Sequence, residues 1–169
     1  RKSADNTLAS VNDAIELKVE MVEVDIRQTK DSQIVCFHDP DIQGELIRDL
    51  DYSEIIEKDS QIPTLEQVLW SAKGKIGIEI ELKEPGYELE VVSITRDYFN
   101  YDKFVLKSFH PQVVERVKEI DQKIFAGLLV GSAFSLEQLF FTLKEAFTSN
   151  NFKQSNADFI SPYYKIFEA

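Results

Sequence analysis

Glu23 and Asp25 stand two residues apart in Met21-Val22-Glu23-Val24-Asp25-Ile26, where apolar and acidic residues alternate. Strand side chains point to opposite faces in turn, so both carboxylates share one face and Val22, Val24 and Ile26 the other. Glu79, Glu81 and Lys83 alternate in the same way within residues 76–83. Carboxylates gathered on one face repel and shift each other's pKa values unless a cation neutralises them. Hard oxygen donors of this kind suit Mg²⁺ or Ca²⁺. The solvated face of an edge strand accounts for the same alternation, and Lys83 reads equally well as a surface lysine or ion-pair partner at a strand end. His38, one of two histidines, directly follows the apolar run Ile34-Val35-Cys36-Phe37. An imidazole of ordinary pKa can hold or move a proton near neutrality. A structural histidine is the alternative, and the adjacent Asp39 is placed to orient either the ring or the loop.

The elements that must position these groups alternate along the chain. Asn6 or Asp5 is a candidate cap for a helix carrying Leu8, Val11 and Ile15 at helical spacing, which leads into a strand over residues 19–26. Thr29-Lys30-Asp31-Ser32-Gln33 is turn chemistry before the strand 34–37, and Pro40-Asp41-Ile42-Gln43-Gly44 reads as a loop. A short helix follows over 49–56, with Ser53 or Asp51 near its start. Thr64 and Gln67 form a capping box ahead of Val68 and Leu69. Strand 76–83 ends at Pro85-Gly86, a helix over 88–99 runs back, and 104–108 is the next strand. Pro111 suits the first turn of a helix carrying Val113, Val114, Val117 and Ile120. Residues 124–130 form a fifth strand candidate. Ser135 with Gln138 makes another capping box before Leu136, Leu139, Phe140, Leu143 and Phe147, and residues 158–162 read as a last strand delivering Tyr163 and Tyr164. Six strands alternating with helices are the pattern of a parallel α/β sheet.

Composition narrows the partners. Nineteen basic against thirty acidic residues give a net charge of −11 over 169 residues. That balance repels phosphate backbones and argues against nucleic acid or anionic membrane surfaces. An anionic substrate then needs a metal or a local cation to enter. Cys36 is the single cysteine and lies within an apolar run, so there is no disulfide framework. No apolar run approaches the roughly 20 residues of a membrane span, and no signal-peptide pattern opens the sequence.

Glu23-x-Asp25, then Thr29-Lys30-Asp31, then a β-branched strand closing on His38-Asp39 resembles the glycerophosphodiester phosphodiesterases, whose fold is a TIM-type (β/α)₈ barrel. Asn6-Thr7-Leu8-Ala9 resembles that family's Glu-Asn-Thr-Leu helix start, with Asp5 in place of the glutamate. Ile62-Pro63-Thr64-Leu65-Glu66 is similar to its Ile-Pro-Thr-Leu-Glu element, Ile80-Glu81-Leu82-Lys83 to its Glu-Ile-Lys strand, and Ser108-Phe109 to its Ser-Phe strand end. Five elements thus occur in the family's order over most of the chain.

The resemblance implies Glu23, Asp25 and Glu81 as ligands of a divalent metal, Mg²⁺ or Ca²⁺, at the C-terminal strand ends where such barrels hold their sites. It implies Lys83 as the phosphate-binding group, Glu79 as either a residue supporting the ligands from behind or one lower in the barrel interior, and His38 as one of two acid/base histidines. His110 falls at a variable position, where a helix cap is expected. The implied reaction is hydrolysis of a glycerophosphodiester to sn-glycerol 3-phosphate and an alcohol such as choline or ethanolamine. A small-molecule phosphodiester is the expected partner, a homodimer stays open, and the cytoplasm is the expected compartment, with an exported form not excluded.

By the same resemblance the six strands correspond to family strands two to seven. The first strand, bearing His-Arg-Gly, and the eighth then have no counterpart, and a complete barrel normally needs about 250 residues. Residues 1–169 are therefore expected to form a single but incomplete barrel domain, weak or inactive as written for want of the first histidine. The alternatives are a non-catalytic homologue serving as a binding or regulatory domain, and a related phospholipase D-like barrel. Asp5 for glutamate and the short loop at Gln43-Gly44 feed the first, while the lack of an apolar loop counts against the second.

Overall fold

Connection length decides the direction of the first strand pair. Only residues 29–33 separate β1 (Met21–Gln28) from β2 (Ile34–Cys36), far short of the dozen residues that a parallel crossover needs. In the computed structural model, which describes residues 3–130, 153 and 155–162, β2 is accordingly antiparallel to β1, with Ile26 opposite Cys36 and Gln28 opposite Ile34. The turn is closed by Thr29, whose N–H donates to Gln33 O at 2.9 Å and whose hydroxyl accepts from Gln33 N at 2.9 Å.

The remaining strands are joined by long connections and pair in parallel. Beyond two short strands, β3 (Asp41–Ile42) and β4 (Glu45–Leu46), the chain builds α2 (Tyr52–Lys58) and α3 (Leu65–Ala72), then β5 (Gly77–Leu82), α4 (Glu88–Tyr98), β6 (Phe104–Ser108), α5 (Pro111–Ile120), β7 (Ala126–Val130) and β8 (Phe159–Pro162). The sheet order is β2-β1-β5-β6-β7-β8. The main sheet has six strands as expected, but five of them, not six, make the parallel run. That run, with helices returning between its strands from β1 to β7, is a segment of a (β/α) barrel wall; among the described residues the sheet is open. The helix and loop expected at Ser135–Asn151 and the tyrosines Tyr163 and Tyr164 lie outside the described residues.

Helices cover one face of this sheet. Val24, Ile26, Ile78, Ile80, Leu82 and Leu106 are buried there against Val11 of α1 (Leu8–Glu16), Leu65 and Leu69 of α3, Val91 of α4, and Val113 and Val117 of α5. The helix starts follow local chemistry. Thr64 caps α3, its hydroxyl accepting from Gln67 N at 3.2 Å while Gln67 Oε1 accepts from Thr64 N at 2.9 Å. Asp51 precedes α2, and Pro111 opens α5. The cap of α1 is Thr7, in a reciprocal pair with Ser10, rather than Asn6 or Asp5. Asn6 has a different task, given below.

A second, smaller core lies under the β2–α3 connection. Val35, Ile42, Ile47, Leu50, Ile55 and Ile62 bury one another there, with Phe37 and Tyr52 packed against them. The segment expected as a loop at 40–44 contains the tight hairpin β3–β4, turned through Gln43 at φ 56° and Gly44 at φ 84°. Two consecutive positive φ values are what a type I′ turn demands. This satellite core fixes the chain on either side of His38. Among the described residues no helix is long and apolar enough to cross a membrane.

Candidate active site

The face of the sheet opposite the main core carries charge. Parallel pairing sets Glu23 beside Glu79, Asp25 beside Glu81, and Glu81 beside Lys107, so that neighbouring strands deliver their polar side chains to one patch. One carboxylate oxygen from each of Glu23, Asp25 and Glu81 lies within 4.8 Å of the others. Three converging hard-oxygen donors fit a divalent cation such as Mg²⁺ or Ca²⁺.

Lys83, one step beyond β5, reaches back over the patch. Its Nζ donates to Asp25 Oδ1 at 2.8 Å and to Glu81 Oε1 at 2.5 Å. Asp25 and Glu81 are both buried, and buried charge is costly unless paired. Burial drives the Asp25 carboxyl upward, but the hydrogen bonds from Lys83 and Asn6 outweigh it and hold the group below the usual aspartate value. Burial likewise works against the Lys83 ammonium, and its bonds to Asp25 and Glu81 raise it above the usual lysine value. Glu23 behaves differently. Desolvation among its acidic neighbours pushes it above the usual glutamate value despite the opposing charge of Lys107.

Asn6 clamps Asp25 from the side. Its Nδ2 donates to Asp25 Oδ2 at 2.9 Å while its Oδ1 accepts from Asp25 N at 2.9 Å. The residue sits at φ 57°, a left-handed conformation that asparagine tolerates better than most residues. Its side chain takes up the β1 backbone donor next to the point where Phe37 N donates to Asp25 O at 2.9 Å.

His38 lies just past β2 with an exposed ring, and it lines the same cleft of about 910 Å³ as Glu23, Asp25 and Asn6. Its Nδ1 is 2.8 Å from Asp39 Oδ1. An ionised carboxylate only accepts, so Nδ1 carries the proton in that contact and the neutral ring keeps its lone pair on Nε2. Arg27 holds the backbone of this residue. Its Nε and Nη2 donate to His38 O at 3.1 and 2.7 Å, and its Nη1 pairs with Glu84 beyond β5. Three segments that end at the patch are thereby tied together. His110 occupies the cap position of α5, as expected, yet its side chain does not cap; Nε2 lies 3.1 Å from Lys83 O.

All five residues singled out from sequence (Glu23, Asp25, His38, Glu81 and Lys83) therefore border one patch. Sequence reasoning assigned no site task to Asn6, Arg27 or Lys107. For Asn6 the signal was its place beside a better cap, Thr7; for Arg27 it was its position on the same strand face as Glu23 and Asp25; for Lys107, whose place follows from register between strands, there was none.

A sequence profile of the glycerophosphoryl diester phosphodiesterase family matches residues 1–160. The chain is 27% identical over 147 residues to a glycerophosphodiester phosphodiesterase of Caldanaerobacter subterraneus, covering 74% of this chain and 60% of that protein. It is 28% identical over 152 residues to YhdW of Bacillus subtilis, provisionally named for the same activity, covering 78% of this chain and 63% of that protein. The chain thus spans less than two thirds of these relatives' lengths. Its fold superimposes on the crystal structure of a glycerophosphodiester phosphodiesterase from Thermotoga maritima with a TM-score of 0.76 at 25% identity, over 99% of this chain and 71% of that one. An Oleispira antarctica phosphodiesterase, solved with the product sn-glycerol-3-phosphate, superimposes with a TM-score of 0.71 at 22% identity, over 93% of this chain and 68% of that one. These neighbours have the TIM-barrel fold that the sequence led us to expect.

Proposed function

The chain belongs to the glycerophosphoryl diester phosphodiesterase family, and from that membership we propose that the protein carrying it hydrolyses glycerophosphodiesters to sn-glycerol 3-phosphate and an alcohol. The observation that carries the proposal is the convergence of Glu23, Asp25 and Glu81 with the Lys83 ammonium at adjacent strand ends. The product bound by the Oleispira antarctica neighbour is of the proposed kind.

In this proposal Glu23, Asp25 and Glu81 hold one divalent cation, Mg²⁺ or Ca²⁺. When bound, such a cation supplies Lewis-acid polarisation of a phosphoryl oxygen. Lys83 offers its ammonium as a point charge for a second phosphate oxygen. Asn6 keeps the Asp25 carboxylate from rotating, through the two hydrogen bonds described above. His38 accepts a proton at Nε2, with Asp39 holding Nδ1–H, and Arg27 keeps the His38 backbone beside the patch. The substrate is a free small molecule in the cytoplasm, in keeping with a lone buried cysteine and a net negative surface that disfavours anionic membranes.

The test is release of sn-glycerol 3-phosphate from glycerophosphocholine by the whole protein. Activity that disappears with EDTA and returns with Mg²⁺ or Ca²⁺ is expected, with a loss of about 10² to 10⁴ for His38→Ala. No release under any divalent cation would overturn the enzymatic assignment and leave a non-catalytic homologue.

A further inference from the structure

Lys107 lies on β6, two strands away from Glu23 on β1, with β5 between them. Neighbouring strands are about 4.8 Å apart, so only a long side chain spans that gap. Lys107 does so from a position that is nearly enclosed, its side chain 13% exposed. Its Nζ donates to Glu79 Oε2 at 2.8 Å and lies 3.5 Å from Glu23 Oε1. Glu79 stands directly beside Glu23 in the register of β1 and β5. Of the three carboxylates proposed as ligands, Asp25 and Glu81 are held by Lys83, and Asp25 also by Asn6. Glu23 is the most exposed of the three and has no clamp of that kind; among the described residues Lys107 is the one cation in ion-pair contact with it.

We propose that Lys107, anchored by Glu79, is a positioning residue that holds the Glu23 carboxylate at the cation site. The proposal rests on the assignment of Glu23, Asp25 and Glu81 as ligands. It also makes sense of the charge on the patch. Four carboxylates (Glu23, Asp25, Glu79, Glu81) and two ammonium groups (Lys83, Lys107) sum to −2, the charge that one divalent cation neutralises. Glu79 and Lys107 cancel each other in that sum, so the pair adds geometry without adding net charge.

That cancellation provides the experiment. In the double variant Glu79→Gln/Lys107→Met the charge of the patch is preserved while the tether is removed. Mn²⁺ is titrated into the whole protein and followed calorimetrically and by the electron paramagnetic resonance of the free ion, with the melting temperature recorded in EDTA. The double variant is expected to bind Mn²⁺ about tenfold more weakly, as when the partners of metal ligands are removed elsewhere, while melting close to the parent protein. Lys107→Arg, which keeps the reach and the charge, is expected to restore binding to within about twofold of the parent. If the double variant fails to fold, Glu79→Gln/Lys107→Gln, which also preserves the charge of the patch while removing the ion pairs of Lys107, serves in its place, and a similar weakening is expected.

Parent-like Mn²⁺ affinity in either double variant would overturn the role of Lys107 while leaving the site intact. Absence of Mn²⁺ binding in the parent, or binding unchanged by Glu81→Gln, would instead overturn the site assignment on which the role rests.

Discussion

The two faces of the sheet are built from alternate residues of the same strands, yet they share almost nothing chemically. On the helix-covered face Val24, Ile26, Ile78, Ile80, Leu82 and Leu106 are at most 1% exposed and make no polar contact through their side chains. On the other face Glu23, Asp25, Glu79, Glu81, Lys83 and Lys107 are held by ion pairs. The apolar face contributes stability in proportion to the area it removes from water. The charged face gains little net stability, because desolvation offsets most of the Coulombic attraction. Chemistry and stability are thus assigned to opposite parities of one strand, and a substitution at position i should leave untouched what position i+1 does.

Substitutions on either side of that divide separate the two roles. Glu81→Gln removes a proposed cation ligand and should lower the rate of glycerophosphodiester hydrolysis by about 10³-fold, in line with the several kcal/mol that metal charge stabilisation supplies; its urea midpoint should stay close to the parent's. Leu82→Ala, one residue on, should do the reverse. It removes a fully buried side chain and should destabilise the fold by about 2–5 kcal/mol, with Mn²⁺ affinity of the folded fraction unchanged. A Leu82→Ala protein that folds normally but binds no cation would break the comparison.

Smaller effects sharpen it. Gly127 sits on β7 where an added Cβ would meet the Phe159 ring at 2.1 Å. Gly127→Ala should therefore cost about 1–3 kcal/mol by overpacking, seen as a lower melting temperature. The charged face also has a pH signature. Lys83 is raised in the folded state, so its contribution is intact below the ordinary lysine range and is lost as pH rises through its folded value. Asp25 is lowered, so its contribution is intact above the ordinary aspartate range and is lost as pH falls through its folded value. Glu23 is raised, so it disfavours folding once ionised and favours it again in acid. Urea midpoints measured against pH should be level through neutrality and fall in alkali, and Lys83→Met should flatten the alkaline fall.

Much of this was readable before any coordinates. The period of two in 21–26 and 76–83 separates the faces, and the Thr64/Gln67 capping box and Pro111 mark their helices correctly. The direction of β2 was less visible, because the short apolar run Ile34-Val35-Cys36-Phe37 looks the same in either sense. The signal was the five-residue turn before it, too short for a crossover. The capping role of Thr7 was masked by Asn6 and Asp5, which cap helices as readily. The reach of Lys107 is a matter of register across two strand gaps, and local sequence carries no trace of it.

The most direct test of the central claim is anomalous diffraction from crystals of the whole protein grown with Mn²⁺. A single peak within coordination distance of carboxylate oxygens from Glu23, Asp25 and Glu81 is the expected result. A peak on other residues, or none at a concentration that supports hydrolysis, would contradict the assignment of the charged face as the site of chemistry.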